Sequence, residues 1–179
     1  MAGGLFIPFG PKEGVTGPEV IRLNGLIQSG KGIQRAGNQP GLQQVGGDGD
    51  VSLANQLLGY DYEVSGIVVH GEARGRTIGY PTANIESKHY QYLPAIGVYI
   101  VDIEVSGVRY RGMASIGYND TFGGKNKTLE VNIFDFHDEI YGETVTVYFL
   151  KLIRGMIKFD GVDALITQMN SDEKLSREF

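Results

Sequence analysis

Beyond Tyr60 the chain alternates β-branched or aromatic residues with polar ones in short runs broken by turn residues, the period-of-two signature of consecutive antiparallel strands. The clearest runs are YEVSGIVVHG, GVYIVDIEV, VRYRGMASIG, TLEVNIFDF and TVTVYFLKLI. Ser106-Gly107 lies between the second and third, and Tyr141-Gly142 precedes the last, each putting a glycine where the backbone must reverse. Five or six such strands within about 100 residues must hide their edges, and closure into a small Greek-key barrel does so. At the end, Val162, Leu165, Ile166 and Met169 recur at helical spacing. They predict an α-helix starting near Asp160 that lays this stripe on the barrel. Ahead of the strands, Val51, Leu53, Ala54, Leu57 and Leu58 predict a short helix, with Asp50 placed to cap it and Gly59 to end it.

The pattern fails before residue 48. From Met1 to Gly47 glycine interrupts almost every apolar run, which lowers the gain from any helix or strand. The expected organisation is a poorly ordered leader of unknown role over 1–47, a short linker helix over 48–60 and a barrel domain over 61–179. A chain of 179 residues accommodates one such domain with an appendage. No apolar stretch approaches the roughly 20 residues of a membrane span, and the first residues lack a secretory pattern, so the expected location is the cytoplasm. The chain has no cysteine, which excludes thiolate chemistry and leaves oxygen donors and three histidines for any metal. A net charge of −5 argues against a nucleic-acid partner, and no protein partner is indicated.

The densest chemistry lies in HGEARGRTIGYPTANI. Gly71, Gly75 and Gly79 allow backbone amides close to an anion, and Arg74 and Arg76 offer planar donors to phosphate oxygens. A surface connection with solvated charges has the same composition. Thr82 and Asn84 are two residues apart, so in an extended segment a hydroxyl and an amide face one side and suit a hard cation such as Mg²⁺, although a turn would read the same way. In TLEVNIFDF one strand face presents Glu130, Asn132 and Phe134. Glu130 is either a solvated strand residue or a general base. The SIGYNDTFGG segment, with Arg154 and Phe159, suits a flat heteroaromatic ligand or ordinary loop packing. His70, His89 and His137 lack the spacing of a zinc site and read as structural or surface residues.

Taken in order, GRTIGYPTANI, LPAIGVYIV, YRGMASIGYNDTFGG, TLEVNIFDF with IYG, and IRGMIKF closely resemble the riboflavin kinase family, from about Asp61 to the C-terminus. The resemblance implies a mainly β fold, a six-stranded antiparallel Greek-key barrel with a C-terminal α-helix. It implies ATP-dependent phosphorylation of riboflavin at the 5′-hydroxyl to give FMN and ADP. Gly71, Arg74, Gly75, Arg76 and Gly79 would cover the ATP phosphates, Thr82 and Asn84 would help hold Mg²⁺, and Glu130 would be the catalytic base. Asn119, Thr121, Phe122 and Arg154 would lie near the flavin, with the cation ligands and Glu130 at opposite ends of one short reaction path. Tyr80 stands where the family often has phenylalanine, a change expected to be harmless. DGDVSLANQLLGYDYEVSG resembles the joint to the FMN-adenylylating module of bifunctional relatives. The paired histidines and Ser-Ser-Thr segment of that module have no counterpart ahead of it, so the expectation is a truncated or rearranged relative that makes no FAD.

Two other readings compete. Residues 25–31, GLIQSGK, fit a phosphate loop in part, and Val98–Asp102 imitates the strand that ends in its magnesium-binding aspartate. Gly32 replaces the required Ser or Thr, and IQRAGNQPG is a poor helix. A non-catalytic flavin-binding barrel would use the same loops and need neither base nor metal.

Overall fold

Alternation along the chain becomes inside and outside of a barrel. The computed structural model describes residues 49–71, 74–87, 92–119 and 126–179, and only the backbone of Arg74, Asn119 and Asn126. Among these residues six strands close into a barrel: β1 (Tyr62–Val69), β2 (Ala83–Ser87), β3 (Gly97–Val105), β4 (Val108–Asn119), β5 (Asn126–Ile133) and β6 (Thr144–Arg154). Their order is β1-β2-β5-β4-β3-β6, and every neighbouring pair is antiparallel. Three consecutive strands, β3 to β5, form a meander, and β6 returns beside β3, which is the Greek-key arrangement. Ser106 and Gly107, both at positive φ, make the tight β3–β4 reversal. Helices α1 (Val51–Leu58) and α2 (Val162–Glu178) flank the barrel, and a 3-10 turn over Arg74–Ile78 precedes β2.

Val64, Tyr99, Val101, Ile103, Val147 and Phe149 fill the interior with no exposed surface. Phe149 meets Tyr99 edge-on, ring centroids 5.4 Å apart. One end of the barrel is closed by α1, which buries Val51, Ala54 and Leu58 in the same core. Asp50 caps this helix by accepting from the Leu53 N–H at 2.9 Å, and Gly59 ends it at φ +80°. The helix also serves the sheet where β1 runs out. Asn55 Nδ2 donates to the Phe149 carbonyl at 2.7 Å, its Oδ1 accepts from the Tyr62 N–H at 2.7 Å, and Ser52 Oγ donates to the Leu150 carbonyl at 3.2 Å. The Phe149 and Leu150 carbonyls, at and just past the end of the β6 pairing with β1, are thereby satisfied.

Three expectations change. The fourth run, TLEVNIFDF, ends as a strand at Ile133, not Phe136, because Phe134 is buried beneath α2 and the chain turns at Asp135, whose φ is +56°. Arg177 grips that aspartate with Nη1 and Nη2 at 2.8 and 3.1 Å. The sixth strand is the short β2, in the segment read only as extended. Helix α2 begins at Val162, and of the expected stripe only Met169 reaches a buried cluster, formed by Tyr80, Met113 and Phe134. Val162 stays 57% exposed, while Asp172 and Ser176 are the buried helix residues. The stripe continues past Met169 at helical spacing, and the helix packs on β4, where Met169 meets the cluster containing Met113.

Because Phe149 is enclosed on all sides, Phe149→Ala should lower unfolding free energy by about 3–5 kcal/mol, read from urea denaturation at unchanged m-value.

Candidate active site

In an antiparallel sheet, residues directly opposite face the same side. The register puts Asn84 opposite Glu130, Glu130 opposite Ser115, Ser115 opposite Val98 and Val98 opposite Arg154. Leu129 and Val131 point into the core, so this transverse row runs across the outer face of the barrel. Thr82, immediately before β2, donates its hydroxyl to Glu130 Oε2 at 3.2 Å. Direct β2–β5 pairing thus gathers Thr82, Asn84 and Glu130 into one cluster. The expectation of cation ligands and carboxylate at opposite ends of a path gives way to contact between them. Of the three side chains read on one β5 face, only Glu130 belongs to this cluster. Asn132 is buried with its amide donating to the Pro81 carbonyl at 2.7 Å, and Phe134 lies under α2.

The glycine loop folds back on the same segment. A Cβ on Gly71 would fall 2.1 Å from Asn84 Nδ2, so the backbone here backs directly onto the amide. The Tyr80 N–H donates to the Gly75 carbonyl at 2.9 Å, and Gly79 turns the chain at φ +86°. Arg76 is exposed and, with Pro81 and Thr82, lines one side of a cavity of about 370 Å³. The connection from Phe136 to Tyr141 forms another side, and Val131 and Ile133 also line it. Tyr141 stacks on His70 with centroids 3.8 Å apart and planes at 25°. Sequence reasoning treated Tyr141 as a turn residue and missed this wall; its signal was the mix of rings and charges in FDFHDEIYG.

Arg154, at the far end of the row, lies three strand spacings of about 4.8 Å from Glu130. Its Nε and Nη2 donate to Asp172 Oδ2 at 2.9 and 2.7 Å, and its guanidinium sits 5.8 Å from the Phe159 ring centroid. The structure brings Gly71, Thr82, Asn84 and Glu130 together, with Arg76 at the adjoining cavity, and leaves Arg154 separate and engaged with α2. Thr121, Phe122 and His89 lie outside the described residues, as do the side chains of Arg74 and Asn119 and all of residues 1–48, including the partial phosphate loop over 25–31. Asp102, the other half of that reading, is taken up by Arg111 at 2.9 Å. His70 and His137 are exposed. Among the described residues no group of three or more His, Cys, Asp or Glu could hold a metal. The oxygen donors of Thr82, Asn84 and Glu130 are nevertheless the kind a hard cation takes alongside phosphate and water. A hydroxyl that donates to a carboxylate keeps lone pairs for such a cation.

These features agree with comparisons to known proteins. The family model described as riboflavin kinase matches residues 58–179. The chain is 48% identical over 133 residues to the bifunctional riboflavin kinase/FMN adenylyltransferase of Listeria monocytogenes, covering 74% of this chain and 42% of that protein. It is 45% identical over 130 residues to the Bacillus subtilis protein of the same name, covering 71% and 41%. A solved structure described as a macrolide-efflux protein from Streptococcus pneumoniae superposes with a TM-score of 0.73 at 53% identity, over 76% of this chain and 45% of that one. In each case the match spans less than half of the relative's length. With the barrel order, the Thr82–Asn84–Glu130 cluster and a family match over residues 58–179 in agreement, the chain belongs to the riboflavin kinase family.

Proposed function

We propose that this chain transfers the terminal phosphoryl group of ATP to the 5′-hydroxyl of riboflavin, producing FMN and ADP, with Glu130 as general base. The observation that carries this reading is the Glu130 carboxylate, set beside Asn84 by register and held by the hydroxyl of Thr82, which itself lines the adjoining cavity. At about 370 Å³ the cavity falls in the usual range for small-molecule sites. Phosphoryl transfer asks a protein mainly to position two substrates and to offset charge. Gly71, the 3-10 turn with Gly75 in it, and Gly79 after it offer backbone amides, and Arg76 offers a guanidinium, to the phosphates; Arg74 is assigned the same role. Thr82 and Asn84 are the side chains that would hold Mg²⁺, which when bound with ATP supplies charge neutralisation on the phosphate oxygens.

Glu130 accepts the proton of the riboflavin hydroxyl as that oxygen attacks, and the bond from Thr82 fixes the carboxylate's direction. The flavin ring is assigned to the part of the row toward Arg154, and Asn119, Thr121 and Phe122 are assigned to flavin binding with it. Arg154 acts there by holding α2 through Asp172. Neighbouring Met156, Ile157 and Val162 are exposed apolar residues that a flat ring would cover. The proposed working location is the cytoplasm, where ATP is abundant; among the described residues no helix is long and apolar enough to cross a membrane.

Glu130→Gln should retain riboflavin binding while turnover of riboflavin and Mg-ATP to FMN falls at least about 100-fold; near-normal turnover removes Glu130 from the mechanism. Flavin binding by the unaltered chain with no ATP consumption would instead identify a non-catalytic flavin-binding barrel. Gly71→Ala should push the Asn84 amide aside, since the added methyl meets only that flexible side chain at closest approach. Turnover is expected to fall by up to about 100-fold, the scale of a 1 Å misplacement, with thermal unfolding nearly unchanged.

A further inference from the structure

Tyr80 leads directly into the Pro81–Asn84 segment, and its ring is buried with Met113 and Phe134 against Met169 of α2. A phenol buried there without a partner would lose its hydrogen bonds to water. Its hydroxyl instead donates to Asn170 Oδ1 and also faces Glu173 Oε2 at 3.1 Å. Burial first, and then the Glu173 bond, push its pKa up to about 12, so the proton stays in place at neutral pH. The other Glu173 oxygen, Oε1, accepts from Arg177 Nε at 2.8 Å. Arg177 in turn grips Asp135, where the Phe136–Tyr141 wall of the cavity begins. Glu173 therefore joins α2 to the two walls of the cavity. The same helix holds Arg154, at the far end of the row, through Asp172.

We propose that the Tyr80 hydroxyl is a positioning group that ties the Thr82 side of the cavity to α2, so that a bound nucleotide raises the affinity for riboflavin. The inference rests on the phosphotransfer reading above. A nucleotide that orders the Pro81–Asn84 segment also fixes Tyr80, and through Asn170 and Glu173 it fixes the helix. Riboflavin settling beside α2 then finds the helix already ordered, and by linkage the effect is reciprocal.

The test is a riboflavin fluorescence titration of the full chain, with and without Mg²⁺ and a non-hydrolysable ATP analogue. In the unaltered protein the analogue should tighten riboflavin binding at least about fivefold. In Tyr80→Phe, which keeps the ring in its cluster, that factor should fall toward one, while affinity without nucleotide changes little. Glu173→Ala should lose the same factor, and the double variant no more than either single one, because the two groups act as one link. An undiminished factor in Tyr80→Phe, or no tightening in the unaltered protein, overturns the inference and leaves the kinase reading intact if FMN is still formed. Failure of the unaltered protein to form FMN from riboflavin and Mg-ATP sinks the kinase reading and the inference with it.

Discussion

Strand β6 is bonded on both of its edges, to β1 from Thr144 to Phe149 and to β3 from Val145 to Arg154. That double pairing turns a curved sheet with two free edges into a closed wall, and the outer-face cluster depends on it. Strand β2, which carries Asn84, is held by four register pairs to β1 and three to β5. So short a strand gains little by itself, since isolated two-stranded pairings are marginal in water. Closure fixes β1 and β5 at the separation that admits β2 between them, and Asn84 then has no choice but to lie beside Glu130. The chemistry of the site is thus a consequence of core packing on the opposite side of the same strands, where Leu129 and Val131 meet Val64 and Phe149 in one cluster.

Much of this was legible in the sequence, for reasons that can be named. Strands with one face on the core alternate over much of their length, so the runs that became β1, β3, β4, β5 and β6 stood out, and Ser106-Gly107 announced its own reversal. Thr82, Asn84 and Glu130 were recognisable because GYPTANI and TLEVNIFDF resemble family motifs. Periodicity alone read Thr82 and Asn84 more readily as a turn and Glu130 more readily as a solvated strand residue. The contact of Thr82 with Glu130 was not visible, because 48 residues separate them and only the β2–β5 register brings them together. Helix α2 was found by its apolar spacing, yet its buried positions are Asp172 and Ser176. A pattern that counts carboxylates as solvent-facing cannot anticipate one whose desolvation is offset by an arginine from β6 and an amide from Gln168.

Tyr80 illustrates the same limit. Beside a phenylalanine it differs by one oxygen, which sequence reasoning treated as harmless, and the hydroxyl's partners, Asn170 and Glu173, lie at the other end of the domain sequence. Buried polar groups are matched by pairs distant along the chain, so their meaning appears only once the fold has brought the pairs into register.

The junction of β6 with β3 contains two register irregularities, one between Tyr99 and Val98 and one between Val101 and Ile100. Phe149 points inward, Lys151 is exposed opposite Ile100, Leu152 joins the core opposite Tyr99, and Arg154 stands opposite Val98 on the outer row. Each irregularity adds one residue to β6 and reverses the side on which the following residues emerge. Each bulge thus absorbs one extra β6 residue while the residues beyond it stay in step with β3. Removing either extra residue from Leu150–Ile153 would remove its reversal as well and straighten the register, leaving Arg154 opposite Val98 on the outer face, so this stretch should tolerate losing one residue or two.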